Sequence, residues 1–141
     1  MNYELQVVTI PVSDVDQALA FYTKRVGFNL DVDYHPASHF RVVQLTPPGS
    51  ACSIQIGLGL TDAAPGSARA SYLAVTDIEA AHQELTARGV PVSAVRHKSP
   101  MDEWAGGWQP GADPKRRDYA SFADFTDPDG NTWVLQGIGY A

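Results

Sequence analysis

The sequence predicts an α+β protein made of two paired βαβββ modules, whose curved mixed sheets enclose a concave pocket. Three observations lead to this prediction. The chain contains an internal repeat, both copies show the same order of strand-like and helical patterns, and each unit has a helix for only one face of its sheet. Two paired units would bury the remaining faces around a shared cleft, where a ligand can bind.

The repeat is clearest where a predicted strand runs into a predicted helix. Residues 13–15 (Ser-Asp-Val) align with residues 76–78 (Thr-Asp-Ile), and Ala18 aligns with Ala81 at the same spacing. Alternating apolar residues precede both segments, which predicts a strand in each copy. These residues are Val8, Ile10 and Val12 in the first copy, and Tyr72 and Ala74 in the second.

Each predicted helix has a recognisable start and end. Ser13 with Asp16, and Thr76 with Glu79, match a capping box, in which a hydroxyl residue and an acid three positions later satisfy free backbone amides. A glycine terminates each helical pattern. The two glycines are Gly27 and Gly89.

Three further strand-like segments follow each helix. They read FNLDVDYH, HFRVVQLT and CSIQIGLGL in the first copy, and PVSAVRH, YASFADFTD and NTWVLQGIG in the second. The predicted organisation is a single domain over residues 1–141. Module one covers about 4–60, a linker about 61–69, and module two about 70–139.

Composition narrows the class of protein. Of 141 residues, 44% are hydrophobic and 18% are charged, which is enough apolar material for a core. The net charge of -6 argues against nucleic acid as a partner. No segment reaches the ~20 apolar residues of a membrane span. The single cysteine, Cys52, fits a reducing compartment, so the expected location is the cytoplasm.

One long segment, Arg96 to Tyr119, shows no helical or strand period and carries Trp104 and Trp108. Irregular connections beyond about 12–15 residues usually have a function. Two interpretations stay open. The segment is a lid whose indoles form an apolar wall over a ligand, or it covers the core or a dimer interface.

The repeat, together with VSDVDQALAFYTKRVGF near the start and FTDPDGNTWVLQ near the end, resembles the vicinal oxygen chelate superfamily. That superfamily contains glyoxalase I, extradiol dioxygenases, and fosfomycin and bleomycin resistance proteins. The resemblance covers nearly the whole chain and implies the paired modules and their pocket, but no single reaction. It also implies a homodimer, since members of this size commonly pair.

Metal-using members of that superfamily place ligands at up to four positions, on the first and last strands of each module. By this resemblance, the four positions here are Val7, Gln55, Ala70 and Val134. Valine and alanine have no donor atom, and a glutamine gives one neutral oxygen. The sequence therefore predicts no metal site, and no other cofactor is expected.

The predicted ligand-binding residues are His39, Arg41, Gln55, Trp104, Trp108 and Tyr119. His97 is the predicted general base, with Asp102 or Glu103 to orient its imidazole. Tyr119 shares a predicted strand face with Ser121, and the other face carries Phe122 and Asp124. Either face could line the pocket, and the Tyr119 face is the one we favour. Trp133, on the final strand, is expected to lie in the core or on the surface of the sheet.

The favoured function is the binding of a small aromatic or apolar molecule without a metal, for sequestration or for acid–base chemistry such as isomerisation. If the protein is an enzyme, a metal-independent lyase or isomerase is favoured over a dioxygenase. One alternative is a metal-dependent lyase or dioxygenase with ligands from His39, His97, Asp102 or Glu103. The other is a non-catalytic interaction module.

Overall fold

The computed structural model describes residues 1–99 and 107–139, which divide into two compact units. The first unit holds residues 1–69 together with Asp127–Asn131, and the second holds residues 70–126 and the chain from Thr132 onward. Each unit contains one mixed sheet and few helical residues. The predicted α+β class is therefore confirmed. In the described part of the chain, no helix has the length and apolar character needed to cross a bilayer.

The described elements of the first unit follow the predicted βαβββ order. They are β1 (Val7–Thr9), α1 (Val15–Ala20), which continues as a π-helical segment (Phe21–Val26), β2 (Asn29–Ala37), β3 (Phe40–Thr46) and β4 (Ser53–Leu58). The sheet order is β1-β4-β3-β2. β1 runs parallel to β4, and the other neighbours are antiparallel.

The core of the first unit lies on the sheet face that α1 covers. Val43 pairs with Ile56, and Leu45 pairs with Ile54, so these four side chains share that face and are buried. Burying each one contributes about 1.5–3 kcal/mol. The fully buried Tyr22 of the π-helical segment belongs to the same core.

The second unit has one strand more than the sequence predicted. Its described elements are β5 (Ser71–Val75), α2 (Ile78–Ala87), β6 (Arg96–Ser99), β7 (Gly107–Pro110), β8 (Ser121–Thr126) and β9 (Thr132–Gly137). The sheet order is β5-β9-β8-β6-β7, with β5 parallel to β9 and the other pairs antiparallel.

The prediction that Arg96 to Tyr119 has no regular structure is wrong for the described residues. β6 and β7 form an antiparallel pair within this segment, with Lys98 opposite Trp108. The pattern was missed because both strands are only four residues long, and β7 is an edge strand whose ends are a glycine and a proline.

The helix caps lie one residue later than predicted. Asp14 and Asp77 are the N-caps, and their carboxylates accept hydrogen bonds from the backbone N–H groups of Gln17 and Ala80, each at 3.0 Å. Ser13 instead donates its hydroxyl to Asp129 at 2.5 Å. A carboxylate also suits the positive end of the helix dipole.

The turn at Asp127–Asn131 belongs to the first unit, where its buried carboxylate organises a hydrogen-bond network. Asp127 accepts from the Tyr22 hydroxyl at 2.7 Å and from the Asn131 side-chain amide at 2.7 Å. It also accepts from the backbone N–H groups of Asp129 and Asn131 at 2.9 Å. Asn131 in turn donates to the Pro11 carbonyl. The buried charge is thus fully satisfied.

The core of the second unit lies between its sheet and α2, which packs against β8 and β9. Ala123, Phe125, Trp133 and Leu135 share this buried face. Trp133 is 3% exposed and stacks on Phe125, with ring centroids 6.1 Å apart. Of the two places expected for Trp133, the core and the surface of the sheet, the structure therefore has the core.

The residues between β7 and β8 are organised by a buried carboxylate. Asp113 accepts from the Arg117 guanidinium at 2.9 Å and 3.1 Å, and from the Arg117 backbone N–H at 2.9 Å. The hydrogen bonds from the Arg117 side chain hold the pKa of the Asp113 carboxyl well below its usual range. The hydrogen bonds between Asp113 and Arg117 therefore fix the conformation of this loop before β8 begins.

Candidate functional site

The face of the second sheet that α2 does not cover is the first candidate ligand surface. By strand alternation and register it carries Tyr72, Ala74, Arg96, Lys98, Trp108, Phe122, Asp124, Val134 and Gln136, and we call it the open face of the second sheet. Several of these side chains are half-buried or exposed, and Trp108 is 45% exposed. A partly exposed aromatic on an uncovered sheet face offers area to a ligand.

An ion pair crosses the middle of this open face. The Arg96 guanidinium meets the Asp124 carboxylate at 2.8 Å through Nη1 and at 3.1 Å through Nη2. This two-point contact fixes the orientation of the planar guanidinium. The backbone N–H of Asp124 donates to the Ser93 hydroxyl at 2.8 Å. This hydrogen bond holds β8 in place at Asp124.

Trp108 sits beside this ion pair. The Arg96 guanidinium carbon lies 4.5 Å from the indole centroid, and the Lys98 ammonium also lies 4.5 Å from it. The ring meets Phe122 edge to face, with centroids 5.0 Å apart. Cation–π and aromatic contacts of this kind each contribute about 0.5–1 kcal/mol at an exposed site. They hold the indole in one orientation.

A cavity of about 390 Å³ lies at the end of the sheet where β8 leads into β9, and two residues of the open face, Asp124 and Val134, line it. Its lining residues are Ala70, Pro91, Asp124, Phe125, Thr126, Thr132, Trp133 and Val134. The volume suits part of a drug-sized molecule. Two of the four positions where the resemblance places metal ligands, Ala70 and Val134, line it, and both are apolar.

The first sheet also has an uncovered face, which carries Thr9, Val32, Tyr34, Val42, Gln44 and Gln55. Gln55 donates its side-chain amide to the Thr9 hydroxyl at 2.8 Å, and Gln44 is its cross-strand neighbour. The predicted ligand residue Gln55 thus lies on an uncovered face.

Arg41, another predicted ligand residue, lies on the opposite face of the first sheet. Its guanidinium bonds to Asp33 at 2.8 Å and 3.0 Å, and to Asp16 of α1 at 2.8 Å. The hydrogen bond from Arg41 lowers the pKa of Asp33. The structure therefore does not bring Arg41 together with Gln55, because Arg41 joins the sheet to its helix. His39 lies in the exposed turn between β2 and β3.

Two of the residues predicted around the long segment, His97 and Trp108, lie on opposite faces of the second sheet. His97 pairs in register with Ser121 on the buried face of the second sheet, opposite to Trp108. Its Nδ1 lies 2.8 Å from the Gly111 carbonyl oxygen, so this nitrogen donates to that oxygen. The structure does not bring this predicted general base to the open face. Trp104, with Asp102 and Glu103, lies outside the described residues.

Tyr119 is not part of β8, so its predicted strand face with Ser121 is wrong. Its backbone φ of 65° is left-handed, and its N–H donates to the Gly137 carbonyl at 2.9 Å. Ser121 is fully buried, whereas Tyr119 is 53% exposed. The other predicted face, with Phe122 and Asp124, is the one that carries Trp108.

Sequence reasoning missed Arg96 and Lys98 as neighbours of Trp108. The only local signal was their alternation, which places both on one face of a strand. Their convergence on a single indole depends on the pairing of β6 with β7, which the sequence pattern did not indicate.

The metal centre of the metal-using members does not fit these residues. Val7, Ala70 and Val134 offer no donor atom, and Gln55 offers only one neutral amide oxygen. Within residues 1–99 and 107–139, no group of three or more His, Cys, Asp or Glu side chains has the arrangement of a metal site. The donor set is therefore unsuited to a divalent cation.

Comparison with known proteins identifies the family. The chain matches the model of the Glyoxalase/Bleomycin resistance protein/Dioxygenase superfamily over residues 4–135. It therefore belongs to this superfamily, which confirms the resemblance found in its sequence. No curated protein matches the chain significantly.

Solved structures of similar proteins cover almost the whole chain. TnmS3, an antibiotic binding protein from Streptomyces sp. CB03234, is 30% identical over 98% of both chains, with a TM-score of 0.73. A glyoxalase/bleomycin resistance protein from the same organism is 31% identical, covering 94% of this chain and 99% of that one, with a TM-score of 0.69. A superfamily member from Sphaerobacter thermophilus DSM 20745 is 28% identical over 97% and 98% of the two chains, with a TM-score of 0.73.

Proposed function

We propose that this protein binds a small aromatic or apolar molecule on the open face of its second sheet, without a metal, and sequesters it. The observation that carries the proposal is the composition of this face. It carries a partly exposed Trp108, and its residues Asp124 and Val134 also line a cavity of about 390 Å³ at the end of the sheet. The antibiotic-binding relative TnmS3, 30% identical over nearly the full chain, supports the same class of function.

The floor of the cavity supports binding rather than metal-assisted chemistry. Ala70 and Val134 present methyl groups where a metal site needs nitrogen or oxygen donors. The polar groups nearby are the paired Asp124 and the hydroxyls of Thr126 and Thr132. An apolar floor with a few polar groups is the usual make-up of a small-molecule pocket.

The protein acts in this proposal as a cytoplasmic homodimer. The uncovered face of the first sheet supports dimerisation, because Val32 and Tyr34 are large, exposed and on the same face. A second copy of the chain would cover such a face.

A cavity-filling variant tests the proposed site. Thr126 is exposed at the cavity, so Thr126→Tyr should place a ring inside it without disturbing the core. A panel of aromatic metabolites and antibiotics is screened by isothermal titration calorimetry. We expect at least one compound to bind the parent, and we expect Thr126→Tyr to weaken that binding at least about tenfold.

The matched control is Thr86→Tyr, which adds the same ring to the exposed surface of α2. It should leave binding unchanged. Elemental analysis of the parent should show much less than one zinc, iron, manganese or nickel per chain. Failure of every compound to bind, or equal binding by both tyrosine variants, would overturn the proposed site. One tightly held metal per chain that ligand binding requires would overturn the metal-independent mechanism.

A further inference from the structure

A second exposed aromatic side chain lies on the open face of the second sheet, at the opposite edge from Trp108. Tyr72 belongs to the edge strand β5 and is 58% exposed. Its partner on β9 is Val134, and the partner of Val134 on β8 is Asp124. These three side chains therefore form one cross-strand row on a single face of the sheet. Neighbouring strands are about 4.8 Å apart, so the first and last residues of the row are about 10 Å apart.

The row reaches the cavity at the end of the sheet, where Asp124 differs from the other polar groups. Val134 and Asp124 line this cavity, together with the hydroxyl residues Thr126 and Thr132. A hydroxyl both donates and accepts hydrogen bonds, whereas an ionised carboxylate only accepts them. Of these three polar side chains, Asp124 is therefore the one that favours a ligand with a hydrogen-bond donor.

The contact with Arg96 leaves part of the Asp124 carboxylate accessible. Nη1 of Arg96 lies 2.8 Å from one carboxylate oxygen and Nη2 lies 3.1 Å from the other, so each oxygen faces one nitrogen. A carboxylate has about four lone-pair sites, and the Asp124 side chain is 42% exposed. The exposed part of the carboxylate can therefore accept a hydrogen bond from a ligand, while Arg96 fixes its orientation.

We propose that the preferred ligand is an aromatic molecule that carries an O–H or N–H group at its margin. Its ring packs against Tyr72 and over Val134, and its O–H or N–H group donates to Asp124. Asp124 determines specificity, whereas Tyr72 contributes affinity for ligands with and without a donor. This inference rests on the proposed function and adds the chemical class of the ligand and two residues that recognise it.

Two bicyclic probes of nearly the same shape test it. Indole carries an N–H group, and benzofuran has in its place an oxygen, which cannot donate. Binding to the full-length, isotope-labelled protein is followed by the NMR shift of the Val134 backbone amide. We expect indole to bind about tenfold more tightly than benzofuran. This is the low end of the range for a hydrogen bond to a charged group, because Asp124 is partly exposed.

Two variants separate the roles of the residues. Asp124→Asn should remove the preference for indole, because an amide donates as well as accepts. Asp62→Asn is the matched control, since it makes the same change at an exposed acid of the first unit, and it should leave the preference unchanged. Tyr72→Ala removes one aromatic contact, so it should weaken both probes about fivefold and keep the ratio of their affinities.

The outcomes distinguish this inference from the proposed function. Equal affinities for indole and benzofuran in the parent would refute the donor preference, whether or not Asp124→Asn folds. A preference that persists in Asp124→Asn, or unchanged affinities in Tyr72→Ala, would also refute the inference. Each of these results leaves the proposed binding function standing. If neither probe shifts a signal from the open face of the second sheet, the inference and the proposed site both fail.

Discussion

Replacing Trp108 by alanine should weaken ligand binding more than folding, whereas replacing Trp133 should mainly weaken folding. The contrast follows from exposure, which is 45% for Trp108 and 3% for Trp133. A whole indole side chain has up to about 250 Å² of surface, so roughly 110 Å² of Trp108 is available to a ligand. Covering most of it is worth about 2 kcal/mol at ~25 cal/mol per Å². We therefore expect about thirtyfold weaker binding in Trp108→Ala.

The loss of folding stability should be smaller in Trp108→Ala than in Trp133→Ala. Trp108→Ala removes one aromatic contact and two partly exposed cation–π contacts, about 2 kcal/mol together. Trp133→Ala leaves a cavity beside Phe125 in the core and should cost about 3–5 kcal/mol. If that variant is too unstable to titrate, Trp133→Phe keeps most of the core volume and serves as the control for binding.

The assay combines calorimetric titration with urea unfolding of the same protein samples. The tightest aromatic ligand from the screen is used for every variant. The reasoning is wrong if Trp108→Ala binds that ligand as tightly as the parent and loses as much stability as Trp133→Ala. Trp108 would then be a structural cover for Phe122 rather than a ligand contact.

Three further predictions concern the buried carboxylates and assembly. Asp127→Asn should lower the free energy of unfolding by about 3–5 kcal/mol, because it turns an acceptor of the Asn131 amide into a donor. Tyr22→Phe, which removes one hydrogen bond to Asp127, should lower it by about 1.5–3 kcal/mol. Urea melts that place Asp127→Asn within about 1 kcal/mol of the parent would contradict this. The lowered pKa of Asp113 contributes stability that is complete above about pH 4 and declines as acid protonates the carboxylate. Asp113→Asn should therefore lower the free energy of unfolding by about 2 kcal/mol or more near neutral pH. The difference in unfolding free energy between this variant and the parent should shrink in melts at lower pH. Sedimentation at micromolar concentration should show a dimer of the 15.2 kDa chain, and a monomer there would count against dimerisation.

The parts of the fold predicted from sequence are those governed by local patterns. Alternating apolar residues in β1 and β5 and the helical spacing after Asp14 and Asp77 depend on residues a few positions apart. Both copies of the repeat show the same pattern, so each element is predicted twice.

The parts that were missed depend on contacts between distant residues. Arg41 is predicted to bind a ligand, but its guanidinium is bound by Asp33 on the neighbouring strand and by Asp16 on α1, 25 positions away. Tyr119 was placed on a strand, but a left-handed backbone and a hydrogen bond to Gly137 hold it outside β8. Pairing of β6 with β7 brings the cations to Trp108. None of these contacts leaves a mark in a local pattern.

The measurement that tests the central claim most directly is a crystal structure with the tightest aromatic ligand bound. We expect the ligand on the open face of the second sheet, in contact with Trp108 and above Val134, with no anomalous signal from a metal. A ligand bound elsewhere, or one that is coordinated by a metal ion, would contradict the account.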